Sequence, residues 1–133
     1  MMNDKMMGHT VGLNGPLRIE LMPNGISAIL VRPFIVRCKS GRIVEVPAGF
    51  QTDFASVPRA FWRLIPPWGP YSPAAVVHDY LYATGLVSRA EADKIFLELM
   101  KRLDVPVWKR NVMYWAVRMA GASRYTKAKK RNV

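Results

Sequence analysis

The spacing of apolar residues changes near residue 50 of this 133-residue chain, and that change limits the folds it can adopt. Before it, short segments alternate apolar and polar residues, as half-buried strands do. After it, apolar residues recur at intervals of three and four, which is typical of amphipathic helices. The pattern predicts an α+β domain: a small antiparallel β-sheet over about residues 16–47, followed by three to four helices packed on one face.

Alternating segments predict three or four antiparallel strands in the first fifty residues. They are Pro16–Met22, Ser27–Cys38 and Arg42–Val46. Pro33 interrupts the second segment, and because proline cannot donate a ladder hydrogen bond, we expect a split into two short strands or an edge position. Residues 39–41, with a glycine at the end, predict a hairpin between the last two strands.

Start and stop signals predict the helices. Serines at helix starts can cap exposed amide groups, and glycines suit the left-handed position just after a helix end. Ser88 with Glu91 has the spacing of a capping box, and Gly85 and Gly121 are the predicted helix stops. The expected helices cover residues 56–64, 72–85, 88–103 and 106–119.

The length and composition predict one domain with loosely held ends. We expect a flexible N-terminal arm over residues 1–15, a single α+β domain over 16–121 and a basic C-terminal tail over 122–133. No apolar run reaches the roughly 18 residues of a membrane span, and the N-terminus lacks the order of a signal peptide. Synthesis in the cytosol is therefore expected. Cys38 is the single cysteine, which excludes an internal disulfide and a cysteine-based metal cluster.

The formal net charge of +11 suggests a nucleic acid or an anionic membrane as a partner. However, five of the twenty basic residues lie in residues 124–131, and the others are scattered among apolar residues. A basic tail after a compact domain favours a solvated or contact segment over a specific reader of nucleic acid.

One stretch, residues 53–100, carries most candidates for chemistry. His78 lies on the same helical stripe as Ala74, Val77 and Leu81, and Tyr82 lies one turn further along that face. A short connection at residues 86–87 makes the next helix an antiparallel neighbour, so Asp93 could face His78. A carboxylate that orients the imidazole leaves the second ring nitrogen to take a proton from water or to bind a metal.

Asp79 faces a different side, about 100° around the helix from His78. It could reach the loop at Trp68-Gly69-Pro70-Tyr71. A carboxylate and backbone carbonyls are the oxygen ligands that calcium prefers, so calcium is the one cofactor suggested.

Structural alternatives accompany each candidate. A histidine paired with an aspartate on an apolar stripe is also explained as a satisfied buried polar pair that locks two helices. Asp53 is either a third carboxylate that faces the same cleft as His78 and Asp79 or a residue that caps a turn through the backbone of Ala55. Arg59, with Arg63 beside Trp62, forms either an anion-binding patch or a cover over the core.

Three sequence blocks resemble the domain-of-unknown-function 1353 family, found in tailed phages and prophages. The blocks are T-D-x-A-S-V-P-R at Thr52–Arg59, H-D-x-L-Y at His78–Tyr82 and A-D-x-x-F at Ala92–Phe96. The resemblance extends from about Leu17 to Tyr114. It implies a phage or prophage gene product and no settled activity.

A narrower stretch, about residues 68–96, is similar to secretory phospholipases of the A-two type. The likeness lies in the loop, the A-A-x-x-H-D-x-x-Y helix and the following A-D-x-x-F helix. It implies His78 as the general base that activates water, Asp93 as its orienting partner and Asp79 as a calcium ligand. Carbonyls of the loop from Trp68 to Tyr71 would complete the calcium site.

Three functions follow. The first is a virion-associated structural or accessory protein of the tail or envelope contact, with a hydrolase-like His-Asp site and other phage structural proteins as partners. The second is an active phospholipase-like or envelope-directed hydrolase that acts on lipid or an anionic envelope. The third, a nucleic-acid packaging or regulatory factor, rests on charge alone.

Overall fold

A computed structural model describes residues 11–25, 27–52 and 69–131 of the chain. It shows small antiparallel sheets followed by three helices, which confirms the predicted α+β class. The helix predicted over residues 56–64 lies outside the described residues.

In the described part of the chain, five short strands form two separate antiparallel sheets. The first has the order β1-β2-β5 and the second pairs β3 with β4. The strands are β1 Ile19–Leu21, β2 Ala28–Leu30, β3 Phe34–Arg37, β4 Ile43–Val46 and β5 Gln51–Thr52.

Pro33 separates β2 from β3, as predicted, and the two strands enter different sheets. The antiparallel strands predicted over residues 16–47 are thus divided between two sheets. β3 and β4 form the predicted hairpin, in which the Gly41 amide donates to the Cys38 carbonyl at 2.8 Å. The sequence did not reveal β5, because two residues are too few to show an alternating pattern.

Residues 69–131 form three helices, which are α1 Ser72–Thr84, α2 Arg89–Arg102 and α3 Val107–Arg131. Two predicted end signals are confirmed. Gly85 ends α1 with φ 64°, and its amide donates to the Leu81 carbonyl. Ser88 caps α2, and its side chain accepts a hydrogen bond from the Glu91 amide.

The predicted end of the last helix at Gly121 is wrong, since α3 continues to Arg131. A glycine inside a helix costs only about 1 kcal/mol relative to alanine, which tertiary contacts can offset. One such contact is made by Tyr125, whose hydroxyl donates to the Val87 carbonyl at 2.7 Å and so joins α3 to the α1–α2 connection. The division into arm, domain and tail stays a prediction.

The core lies between the three helices and extends to the hairpin. Side chains that are less than 2% exposed come from all of these elements: Leu81 of α1, Phe96 and Leu99 of α2, Met113 of α3 and Val36 of β3. α1 contacts β4 and β5 as well as the other helices.

Two hydrogen bonds join the hairpin to α2. The Lys39 amide donates to Glu98 at 2.7 Å, and Arg102 donates to the Arg37 carbonyl at 2.8 Å. Among the described residues, no helix has the length and apolar character needed to cross a membrane.

Candidate functional site

His78 of α1 and Asp93 of α2 form the predicted pair. The Nε2 atom of His78 lies 2.7 Å from Oδ1 of Asp93. The two residues are 1% and 0% exposed, so the pair is in the core rather than in an open cleft. The pairing is confirmed, whereas the catalytic roles expected for these residues stay predictions.

Asp93 accepts two further hydrogen bonds, one from each neighbouring helix. The Tyr82 hydroxyl donates to Oδ1 at 2.6 Å, and Arg118 of α3 donates to Oδ2 at 2.8 Å. His78, Tyr82, Asp93 and Arg118 together form what we call the Asp93 cluster. Tyr82 was among the residues expected at the site, and its position on the His78 face explains its contact with the same carboxylate.

Sequence reasoning missed Arg118. It lies 25 residues after Asp93, and no local spacing connects the two. The signal that could have found it is physical: a buried carboxylate requires a cation or several donors, and α3 supplies basic residues without acidic ones.

Aromatic rings enclose the imidazole. The ring centroids of Tyr82 and Phe96 lie 4.2 Å and 4.7 Å from that of His78. Tyr125 of α3 meets the Tyr82 ring edge-on at 5.4 Å. These rings pack against the imidazole and contribute to its burial.

Arg89 provides a second connection between α2 and α3 beside the cluster. Its Nη2 donates to the Val117 carbonyl at 3.1 Å and also to the Arg118 carbonyl. Arg89 therefore holds the backbone of the residue whose side chain binds Asp93. Arg118 itself is 30% exposed, so the cluster is closed on the α1 side and reaches solvent through the arginine.

The charges in the cluster are mutually dependent. Burial would raise the pKa of Asp93, but hydrogen bonds from His78, Tyr82 and Arg118 outweigh that effect and hold this pKa below its ordinary value. Burial, and then the adjacent Asp93 carboxylate, raise the pKa of Tyr82 well above its ordinary value, so the phenol remains protonated. The hydrogen bond to Asp93 raises the pKa of Arg118. The cluster thus contains a carboxylate that is ionised at neutral pH.

Asp79 is turned away from the cluster, as its helical position predicted. Its Oδ2 accepts a hydrogen bond from the Thr52 hydroxyl, and Thr52 is 2% exposed on β5. Asp79 therefore ties α1 to the sheet.

The expected calcium ligands are only partly described. Gly69 forms a turn with Ser72: its carbonyl accepts from the Ser72 amide at 2.9 Å, and its amide donates to the Ser72 hydroxyl at 2.9 Å. Trp68 lies outside the described residues, as do the candidates Asp53 and Arg59. Within the described ranges, no three histidine, cysteine, aspartate or glutamate side chains are grouped to hold a metal ion. The calcium site stays a prediction.

Comparison with known proteins gives a family without an assigned activity. Residues 28–117 match the family model described as "Protein of unknown function (DUF1353)". A similar curated protein is "Uncharacterized protein y4jT" of Sinorhizobium fredii, which is 40% identical over 78 residues. The match covers 57% of this chain and 23% of that relative, so the chain spans about a quarter of the relative's length. No solved structure matches.

Replacement of Tyr82 by phenylalanine tests the contribution of its hydroxyl. Tyr82→Phe keeps the ring contacts with His78 and removes one donor to a buried charge, so the free energy of unfolding should fall by about 1.5–3 kcal/mol. Urea denaturation measures this change. The matched control is Tyr80→Phe on the same helix, a half-buried ring against Phe50, which should change stability by less than about 0.5 kcal/mol. Equal effects of the two variants would contradict the cluster's role.

Replacement of Asp93 by asparagine tests the charge itself. Because the pKa of Asp93 is lowered by folding, its ionised form stabilises the protein above the ordinary aspartate pKa of about 3.9. That contribution is lost as the pH falls through the folded-state pKa. Asp93→Asn should therefore be less stable than the wild type by about 3 kcal/mol at pH 6, and the difference should shrink below about pH 3.9.

Urea midpoints of both proteins across this pH range measure the difference. Glu45→Gln, at an exposed position of β4, removes the same charge and should stay within about 0.5 kcal/mol of the wild type at pH 6. A difference between Asp93→Asn and the wild type that is the same at pH 6 and pH 3 would contradict an ionised Asp93.

Proposed function

The chain belongs to the DUF1353 family of proteins of unknown function, and from that premise we propose that it is a phage- or prophage-encoded accessory or structural protein of the virion, with a hydrolase-type His-Asp site. The observation that carries the proposal is the 2.7 Å hydrogen bond between His78 and Asp93, whose carboxylate also binds Tyr82 and Arg118. The pair lies in the core, where His78 is 1% exposed.

The site is hydrolase-type because of the way the imidazole is oriented. An ionised carboxylate can only accept hydrogen bonds, so Asp93 fixes His78 in the form that carries a proton on Nε2. Base dyads in hydrolases use the same relation to direct the second ring nitrogen toward a water molecule. Tyr82 and Arg118 in turn fix the carboxylate, as outer partners do in catalytic sites.

The burial of the site favours an accessory role over turnover. A general base must come within hydrogen-bond reach of a water molecule or substrate, and His78 and Asp93 are 1% and 0% exposed. In this closed arrangement the Asp93 cluster does what a buried polar network does in a structural protein, which is to fix how three helices pack.

The assignment to a phage virion rests on the sequence blocks and on charge. The blocks at residues 52–59, 78–82 and 92–96 resemble those of phage and prophage proteins. A basic C-terminal segment suits contact with other phage structural proteins in the assembled particle. A nucleic-acid packaging factor would rest on the charge alone.

The second candidate is an active phospholipase-like or envelope-directed hydrolase with His78 as the general base. The observation that favours it is the shared carboxylate: Tyr82 and His78, four residues apart on α1, both bind Asp93. In that reaction His78 would take a proton from water, and the resulting hydroxide would attack an ester carbonyl. The proton would then pass to the departing alcohol. The Asp93 cluster would have to open to admit the substrate.

Association with the virion predicts that the protein is found in particles. Phage particles induced from a strain that carries the gene would be purified on a density gradient and probed with an antiserum against this chain. We expect the protein to sediment with the particles in a fixed ratio to a major capsid protein. Its presence only in the particle-free lysate would contradict the virion assignment.

A structural role of the cluster predicts that His78→Asn destabilises the protein by roughly 3 kcal/mol, because a shorter side chain replaces the imidazole that donates to Asp93 and leaves a cavity between two rings. Thermal and urea unfolding measure the loss. In the same preparations, fatty-acid release from phosphatidylglycerol vesicles with added calcium should stay at the background for the wild type. Tyr80→Phe serves as the control. Release by the wild type that a folded His78→Asn protein lacks would establish the second candidate instead.

A further inference from the structure

We propose that the outer face of α3 binds the surface of an anionic lipid bilayer. The helix has a second apolar stripe, formed by Trp108, Val112, Trp115 and Met119. At about 100° per residue, these four positions fall on one side of the helix. The proposed membrane contact involves the exposed stripe of α3 and not His78. It does not depend on whether the Asp93 cluster catalyses hydrolysis.

Three of the four stripe residues point away from the core, whereas Val112 is half-buried and also packs against it. Met113 and Val117 are 0% exposed and form the inner side of α3. Trp108, Trp115 and Met119 are 55%, 62% and 81% exposed. A surface helix of a globular protein normally has one apolar face, whereas α3 has two, and exposed large apolar side chains in a row mark a binding surface.

The charge of the same segment identifies the partner as an anion. Residues 105–133 contain eight of the twenty basic residues and none of the nine acidic ones, so they carry +8 of the net charge of +11. The Nζ atom of Lys109 lies 5.8 Å from the Trp108 ring centroid, which places positive charge next to the stripe. The basic residues are Lys109, Arg110, Arg118, Arg124, Lys127, Lys129, Lys130 and Arg131.

The combination favours a bilayer over other anions and over self-association. Proteins bind nucleic acids through contacts to phosphates and by stacking on bases, and the side chains of Val112 and Met119 contribute to neither. A second copy would bring two segments of charge +8 together. Tryptophan, by contrast, is enriched at the level of lipid headgroups, where its ring is half in hydrocarbon and half in water.

The dimensions of α3 also suit a helix that lies on a membrane. Its 25 residues extend for about 37 Å. It is not apolar enough to cross a bilayer. A long helix with an exposed apolar stripe and basic flanks is the type that lies in the headgroup region, with the apolar side chains immersed and the cations near lipid phosphates.

Vesicle flotation with the full chain tests the proposal. The probe is a pair of vesicle preparations, one of phosphatidylcholine alone and one of phosphatidylcholine and phosphatidylglycerol in equal parts. We expect the wild type to float with the anionic vesicles and not with the neutral ones. Higher salt should reduce the floating fraction, because it screens the attraction between the basic residues and the lipid phosphates.

Two double variants separate the apolar and electrostatic contributions. Trp108→Ser with Trp115→Ser should weaken partitioning roughly tenfold or more, because it removes most of the apolar area that enters the bilayer. The matched control is Ile43→Ser with Leu86→Ser, which are 54% and 59% exposed outside α3 and should leave partitioning unchanged. Circular dichroism verifies that each variant folds.

The charge variant is Lys127→Glu with Lys130→Glu, and each basic charge lost should weaken binding roughly fivefold. Its matched control is Lys94→Glu with Lys101→Glu at exposed positions of α2, which should weaken binding much less.

Flotation of the wild type with neutral vesicles to the same extent as with anionic vesicles would overturn the proposal. So would equal flotation of the tryptophan variant and the wild type, or a wild-type protein that binds DNA or dimerises through Trp115 but does not float.

Discussion

The structure depends on one buried carboxylate. Asp93 is 0% exposed and accepts hydrogen bonds from His78 and Tyr82 of α1 and from Arg118 of α3. An isolated ionised carboxylate in a protein interior is strongly unfavourable, so it is tolerated only where donors and a cation surround it. Since those donors come from two other helices, the carboxylate is satisfied only when all three helices are in place.

Because the three helices must be placed correctly around Asp93, neighbouring hydrogen bonds also fix the position of α3. Arg89 holds the carbonyls of Val117 and Arg118, which fixes the turn of α3 that presents the arginine. Tyr125 donates to the Val87 carbonyl, which fixes α3 at a second point, two turns after Arg118. Apolar packing alone is compatible with many similar placements of the helices, whereas the hydrogen bonds to a buried carboxylate can form in only a few of them. The polar contacts therefore select the relative placement of helices that the apolar core holds together.

Local features of the sequence were sufficient for much of the fold. Pro33 divides two strands because it lacks an amide hydrogen, Gly85 ends α1 because it adopts a positive φ, and Ser88 caps α2 through its hydroxyl. His78 and Asp93 were also predictable as a pair, because helical spacing and a short connection between antiparallel helices determine both positions.

The features that escaped prediction depend on contacts between distant residues. β5 is defined by its pairing with β2, more than twenty residues earlier. The continuation of α3 through Gly121 runs against the local signal, and the Tyr125 contact with Val87 is among the tertiary contacts that could offset the cost of the glycine. Arg118 reaches Asp93 from a helix whose orientation no spacing in the sequence specifies. In each case the local residues are compatible with more than one outcome, and the tertiary contact decides.

The partial exposure of Arg118 links the interior to the solvent. It is 30% exposed, it binds the buried carboxylate of Asp93, and it directly precedes Met119 on the outer stripe of α3. Any ligand whose affinity depends on the position of this guanidinium is thermodynamically linked to the proton affinity of Asp93, and the linkage is reciprocal. Protonation of Asp93 and binding of a ligand at the surface would then both shift the equilibrium between the paired and unpaired states of the Arg118 guanidinium.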